Sequence, residues 1–255
     1  MRSDFLYERA RNGRAGTGQD EEADTRIVIL GANGGTGRQL AQQALKVGHE
    51  VVAVTRNPDG FPIAATRLTV ARADVHDRAA IARVVEGSEV VLSTLGVQFS
   101  RKRVTIYSDG TASIADAMTT HGLKRLVIVS SAGTEPTRHA DAGFLLNRVK
   151  KPMVTRTIGK TTYADMRRME AFLRQSNLDW TVMRPGGLFD VEQSGDCELA
   201  ENRSERVFTS RAGLAASMLA QATSWMWIGK LVAVNTTKGA PTVLQMIRRE
   251  AFGSH

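Results

Sequence analysis

Residues 26–37 read RIVILGANGGTG. The β-branched, apolar run Ile27-Val28-Ile29-Leu30 stops at Gly31, and a helical pattern follows from about Arg38 to Val47. This is a strand, a glycine turn and a helix. Gly31 permits a tight turn off the strand, Gly34 or Gly35 lets backbone approach a pyrophosphate, and Gly37 lets the helix pack closely on a sheet. The helix N-terminus offers free N–H groups and partial positive charge to phosphates. Gly31, Asn33, Gly34, Gly35, Thr36 and Gly37 are therefore read as a dinucleotide-binding turn. Glycines alone would also suit an ordinary βα turn; the flanking strand and helix favour the nucleotide reading.

Working outward, further apolar runs fall at Glu50–Thr55, about Leu68–Ala71, Val90–Thr94, Leu126–Val129, Trp180–Met183 and Leu231–Val234. Helical patterns lie between them near Arg78–Val85, Ser108–Thr120, Tyr163–Gln175 and Arg211–Ala222, with a last one near Pro241–Glu250. Gly122 stands where a helix C-terminal cap belongs. Met166, Met169, Phe172 and Leu173 recur at helical spacing and are expected to face a core. Continuous apolar strands indicate a sheet covered on both faces. The fold class is α/β: a doubly wound parallel sheet (Rossmann fold), helices on both faces, and a small C-terminal substrate-side region.

The chain has 255 residues, 42% of them apolar, enough for one large domain with a sizeable core. Residues 1–24 are polar and lack periodicity, and are expected to form a disordered extension ahead of a single domain over 25–255. Residues 133–162 break the β/α rhythm and read either as a lid over the substrate or as a surface excursion. A formal net charge of +8 favours anions. No aromatic interleaving or recognition motif accompanies it, so nucleic acid is not expected. No apolar run approaches a membrane span, and the N-terminus lacks an apolar signal core. The one cysteine, Cys197, excludes an internal disulfide and reads as a small residue in a polar loop. A cytoplasmic location is expected. The five histidines show no metal-ligand spacing, so no metal site is assigned.

Several short stretches carry a family resemblance: GANGGTG at 31–37, TRNP at 55–58, AD at 73–74, STLG at 93–96, SSAG at 130–133 and RRMEAFLRQSNLDWTVMRPGGL at 167–188. Together with SRAGLA at 210–215, they resemble the atypical short-chain dehydrogenase/reductase superfamily, in its NmrA-like and biliverdin/flavin-reductase-like branch. In SRAGLA, Gly213 replaces the aspartate usual in that group. The resemblance covers about residues 25–236 and implies an NAD(P) site along the C-terminal strand ends. Open α/β sheets in general bind ligands there, at the topological switch point.

Arg56 ends the second strand, where NAD-selective sites commonly place an acid. An arginine suits a 2′-phosphate, so NADP (as NADPH) is expected rather than NAD; a solvated strand-end arginine is the alternative. The resemblance implies that Asp74 and Val75 touch the adenine ring, although Asp74 would also serve as a helix N-cap. It implies that Thr94, Leu95 and Gly96 line the nicotinamide-ribose path. Ser130 ends the fifth strand, and Ser131 is the better match to a serine that orients substrate or relays a proton. Local backbone bonding is the alternative for both serines. Pro185, Gly186 and Gly187 complete the wall after the sixth strand.

The superfamily's Tyr-x-x-x-Lys signature is not intact. Tyr163 lies four residues before Arg167, but an alignment through Glu170 puts Met166 at the lysine position. Tyr163 is therefore read as a candidate acid or as a packing residue at a helix start. The leading expectation is an NADPH-dependent oxidoreductase passing hydride to a small conjugated or aromatic substrate such as a quinone, flavin or ketone. A non-catalytic NADP-binding sensor of the NmrA kind and a cofactor-retaining epimerase or isomerase are the alternatives. The partner is a small molecule; the oligomeric state stays open.

Overall fold

The computed structural model describes residues 24–99, 102–135, 159–191, 196–202 and 206–241. The N-terminal extension, most of the expected lid and the expected last helix lie outside these residues.

The elements alternate as the hydrophobic pattern requires. They are β1 (Arg26–Leu30), α1 (Gly35–Lys46), β2 (Glu50–Thr55), β3 (Leu68–Arg72), α2 (Arg78–Val85), β4 (Val90–Ser93), α3 (Ser108–Thr120) and β5 (Arg125–Val129). There follow α4 (Lys160–Gln175), β6 (Asp179–Pro185), β7 (Gly187–Phe189), β8 (Cys197–Glu201), β9 (Phe208–Ser210), α5 (Arg211–Thr223) and β10 (Lys230–Thr236). The main sheet has the order β3-β2-β1-β4-β5-β6-β10-β8. The pairs from β3 through β10 are parallel, and β8 runs antiparallel along β10. Strands β7 and β9 form a separate parallel pair.

Two apolar layers sandwich the sheet. Strand side chains alternate between faces, so β1 sends Ile27 and Ile29 to one layer and Val28 and Leu30 to the other. The first layer packs under α1 and α5 through Leu40, Ala44, Leu214 and Met218. The second packs under α2, α3 and α4 through Ile81, Ile114, Met118 and Met169. This is the doubly wound architecture expected from the strand runs.

Several sequence expectations need correction. Helix α1 starts at Gly35, not Arg38, because the glycine turn is itself the first helical turn: Arg38 N donates to Gly34 O at 2.9 Å. Phe172 is 37% exposed, whereas Met169 and Leu173 are fully buried. The buried stripe of α4 runs through Glu170 instead, a residue whose charge conceals its inward position. Asp74 is not a helix cap. Asp77 caps α2, accepting from Ala80 N at 3.0 Å. Cys197 lies in strand β8 rather than in a loop. Burial pushes its thiol above the usual range, and the nearby Thr236 hydroxyl pulls it partly back.

Two buried charged groups hold the frame. Asp165 of α4 is fully buried and accepts from Tyr107 N and Ser108 N at 2.9 and 3.3 Å, capping the start of α3 from another helix. Arg125 of β5 donates to the carbonyl of Gln221, near the C-terminus of α5, at 2.9 and 2.6 Å, and to Asp179 O at 2.7 Å. Burial lowers its pKa to about 10. A cation at a helix C-terminus satisfies orphan carbonyls and opposes the negative end of the helix dipole.

Candidate active site

The glycine turn has a reason at nearly every position. Gly31 sits at φ +76°, a conformation that L side chains rarely adopt, and a Cβ there would press on the Thr94–Leu95 peptide at 3.0 Å. A Cβ on Gly37 would lie 2.3 Å from Gly31 O and 2.7 Å from Ala32 Cα, so only glycine brings α1 this close to the turn. Gly34 and Gly35 are exposed at the helix start. A Cβ on Gly34 would meet only Gly31 O, at 3.3 Å, which leaves its outer side open. A Cβ on Gly35 would collide with the Arg211 side chain at 2.8 Å. Helix α1 has no acidic residue in its first turn. An open backbone cradle beneath an uncompensated positive helix end fits a dinucleotide diphosphate.

Neighbouring groups fix the cradle. Asn33 Oδ1 accepts from Arg38 Nε and Nη2 at 3.0 and 2.7 Å, and Thr36 is buried. The Thr94 hydroxyl lies within donating distance of Leu30 O and Gly31 O, at 3.1 and 3.2 Å. Thr94 therefore shapes the turn with its side chain. Leu95 is half-buried, while Gly96 and Val97 are exposed beside it.

Arg56 is exposed at the end of β2. The Asp74 carboxylate is held below its ordinary range, first by the His76 backbone N–H at 2.9 Å, then by the His76 ring, with a smaller pull from Arg56. An ionised Asp74 is acceptor-only, as an adenine amine would require. Val75 turns its side chain into the core, where a Cβ on Gly110 would meet it at 2.9 Å, leaving only its backbone for the pocket.

At the other end of the edge, Ser130 and Ser131 diverge. Ser130 is buried and donates to Glu170 Oε1 at 2.7 Å. Glu170 is also gripped bidentately by Arg184, with Nε to Oε1 at 2.9 Å and Nη2 to Oε2 at 2.6 Å. Arg184 reaches Glu135 as well, at 2.6 Å. The Ser130 hydroxyl is thus spent on this internal network, which the sequence reading missed. Glu170 lies within α4 and Arg184 near the end of β6, and their sequence neighbours give no sign that they pair.

Ser131 Oγ accepts from Gly133 N at 3.1 Å, and its hydroxyl also lies against Tyr163. The Tyr163 ring packs against Gly133, where a Cβ would meet Cε1, Cζ and the phenol oxygen at 2.5–2.7 Å. Burial raises the Tyr163 pKa, and the Ser131 hydrogen bond lowers it in part. Phe99 covers the same ring, with centroids 5.5 Å apart, and remains 47% exposed. Met166 is buried at the expected lysine position, and Arg167 donates to Thr134 O at 3.1 Å.

Pro185 is buried at the end of β6, and Gly186 and Gly187 have a packing duty there. A Cβ on Gly186 would lie 2.2 Å from Val207 O, the carbonyl that accepts from Gly187 N at 2.7 Å. This close approach joins β7 to β9. No helix among the described residues is long and apolar enough to cross a membrane.

Comparisons with known proteins bear on the fold and the family. A protein of Mycobacterium tuberculosis (strain H37Rv) is 37% identical over 112 residues, which is 44% of this chain but only 12% of that protein's length. A Bacillus subtilis protein named an uncharacterized sugar epimerase, YhfK, is 25% identical over 202 residues, covering 76% of this chain and 86% of its own. Among solved structures, a short-chain dehydrogenase/reductase of Veillonella parvula in complex with NADP superposes with a TM-score of 0.69 at 20% identity, over 84% of this chain and 95% of that one. ChuY, an anaerobilin reductase of Escherichia coli O157:H7, superposes at 0.67 with 23% identity, over 86% of this chain and all of its own. These likenesses establish the Rossmann fold. A family model described as NAD(P)H-binding matches residues 31–224, and the chain therefore belongs to the NAD(P)H-binding family.

Proposed function

We propose that this protein is an NADPH-dependent oxidoreductase acting on a small conjugated or aromatic substrate. The observation that carries the reading is the cluster of Ser131, Tyr163 and Phe99 at the C-terminal strand edge, on the same edge as the glycine cradle. Bound NADPH would supply the hydride. Phe99 and Val97, both exposed, offer an apolar platform for a planar ring. Tyr163, kept protonated by burial, is placed to give a proton to a substrate oxygen. Ser131, fixed by Gly133 N, orients that phenol. Arg56 favours the 2′-phosphate of NADP over the bare ribose of NAD.

One observation favours a second reading. With Met166 in place of a lysine, no ammonium among the described residues lowers the Tyr163 pKa, which suits a sensor that binds NADP without turnover. A panel of quinones, flavins and ketones, followed by loss of reduced-nicotinamide absorbance, separates the two. The oxidoreductase reading expects turnover that falls in Ser131→Ala and Tyr163→Phe while NADPH affinity stays. The Ser131 effect is the larger with a flavin-like substrate, the Tyr163 effect with a ketone. Tight NADPH binding without oxidation of any panel member points to the sensor. Retained cofactor with interconversion of sugar epimers points to an epimerase, the activity named for the Bacillus subtilis relative.

A further inference from the structure

Arg211 is the first residue of α5, far in sequence from the glycine turn, yet its side chain lies on that turn. An ideal Cβ on Gly35 would be 2.8 Å from Arg211 Cδ and 3.0 Å from Nε. The guanidinium is thus laid across the start of α1, where the cradle for a diphosphate opens. Among the described residues its ion-pair partner is Asp190, at 2.8 Å from Nη1. That carboxylate is 82% exposed, whereas the Arg211 side chain is 29% exposed. A surface carboxylate of this kind gives weak, screened pairing. It leaves most of the five guanidinium donors available for another acceptor.

The placement of Arg211 runs against local helix electrostatics. A cation in the first turn of a helix faces the positive end of its dipole, a position that favours acids. Helices α1 and α5 pack side by side, and neither has an acidic residue in its first turn. Helix α5 starts beside the third turn of α1, where Gln43 Nε2 donates to Ala212 O at 3.0 Å, and from there Arg211 carries its charge back to the positive start of α1. Among the described residues, the well-solvated Asp190 is the acid paired with Arg211. An anion bound at the turn would balance Arg211 and the start of α1 together.

We infer that Arg211 is a cofactor-binding residue that clamps the dinucleotide diphosphate from the carboxy-terminal half of the chain. It completes a site that the glycine turn begins. Helix α5 packs on β4 and β5 as well as on α1, so Arg211 approaches from the side of the sheet that carries Ser131 and away from Arg56. The phosphate it meets is the one on the nicotinamide side. Gly35 has its own reason in this arrangement: a side chain there would push the arginine off the turn. The inference rests on the dinucleotide reading of the turn, and deepens it by naming a second source of charge.

The test is titration calorimetry with three ligands: NADPH, 2′-phospho-ADP-ribose, and adenosine 2′,5′-bisphosphate, which lacks the nicotinamide-side phosphate. Arg211→Gln is expected to weaken the first two about ten- to hundredfold, the range of one charge-assisted hydrogen bond. It should leave the third within about twofold, which also certifies that the variant is folded. Arg211→Lys should recover part of the loss by restoring charge without the planar fork. Unchanged affinity for 2′-phospho-ADP-ribose in Arg211→Gln overturns the clamp. Equal weakening of all three ligands also overturns it, since the residue would then only support the fold. Failure of the unaltered protein to bind any of the three would instead overturn the dinucleotide reading itself, and the clamp with it.

Discussion

The two ends of the candidate site are built in opposite ways. Around β1 and α1 the chain shapes a ligand surface by leaving side chains out: Gly34 and Gly35 expose backbone, Gly31 and Gly37 allow the tight turn and close packing beneath it, and Thr94 braces the Leu30 and Gly31 carbonyls. Around β5, α4 and β6 it shapes the surface by burying side chains that would ordinarily avoid the interior. Glu170, Arg184 and Ser130, with Glu135 at the rim, form one network behind Ser131 and Tyr163. The first strategy depends on local chain geometry and tolerates little added volume. The second depends on complete pairing in a low-dielectric interior and tolerates no missing partner. Damage should therefore show as lost binding at one end and as lost stability at the other.

The largest expected effect is on stability at the second end. Glu170→Ala leaves Arg184 buried at 4% exposure, its bidentate partner gone and its ion pair to the partly exposed Glu135 remaining. Breaking a buried pair in this way costs about 3–5 kcal/mol, measurable as a lower denaturant midpoint. Replacing both residues with apolar ones of similar volume should recover much of that loss. If Glu170→Ala alone is neutral, the contrast between the ends fails. Gly37→Ala comes next. Its Cβ meets the Gly31–Ala32 backbone, so the turn must shift, at about 1–3 kcal/mol by analogy with overpacking, and dinucleotide binding is lost. Gly34→Ala, with one contact at 3.3 Å, should keep its thermal midpoint and yet bind NADPH more weakly. Similar behaviour of the two variants would remove the distinction between a packing glycine and a ligand-facing one.

A smaller effect sharpens the first end. Arg56→Asp should weaken NADPH by about ten- to hundredfold and NADH much less. Equal losses in calorimetry would mean that Arg56 does not read the 2′-phosphate. The smallest effect concerns alkaline stability. Burial raises the pKa of both Tyr107 and Tyr163 above the unfolded value near 10. Between the two values the folded state holds protons that the unfolded state has released. Their contribution is complete below pH 10 and declines as pH rises through the folded values. Tyr163→Phe should therefore flatten the alkaline fall in stability, whereas an unchanged slope in urea titrations above pH 10 would assign the fall to other groups.

The same contrast explains what the sequence discloses. The glycine turn and the cap at Gly122, at φ +71°, follow from neighbours in the chain, where residue type and conformation are tied directly. The apolar strands declare themselves by composition. The network of Glu170, Arg184 and Ser130 links groups 14 and 40 positions apart, and nothing local marks them as buried. Asp165 is similar: a carboxylate in a helix reads as solvent-facing until the start of α3 is found beside it. Strand β8 escaped notice because Cys-Glu-Leu-Ala-Glu lacks a β-branched run. Its pairing with β10, not its composition, makes it a strand.

One further consequence follows from the double coverage of the sheet. In β1, Ile27 and Ile29 serve one layer and Val28 and Leu30 the other, all four of them buried. Slipping the strand by one residue would exchange the two sets without exposing a polar group, so polarity gives the strand no protection against misalignment. The reference point must come from its end. Gly31, with its positive φ, and the Thr94 hydroxyl beside the Leu30 and Gly31 carbonyls mark where the strand has to stop. The turn that cradles the ligand thus also sets the alignment of the central strand. A substitution that loosens it would threaten mispairing during folding as well as binding afterwards.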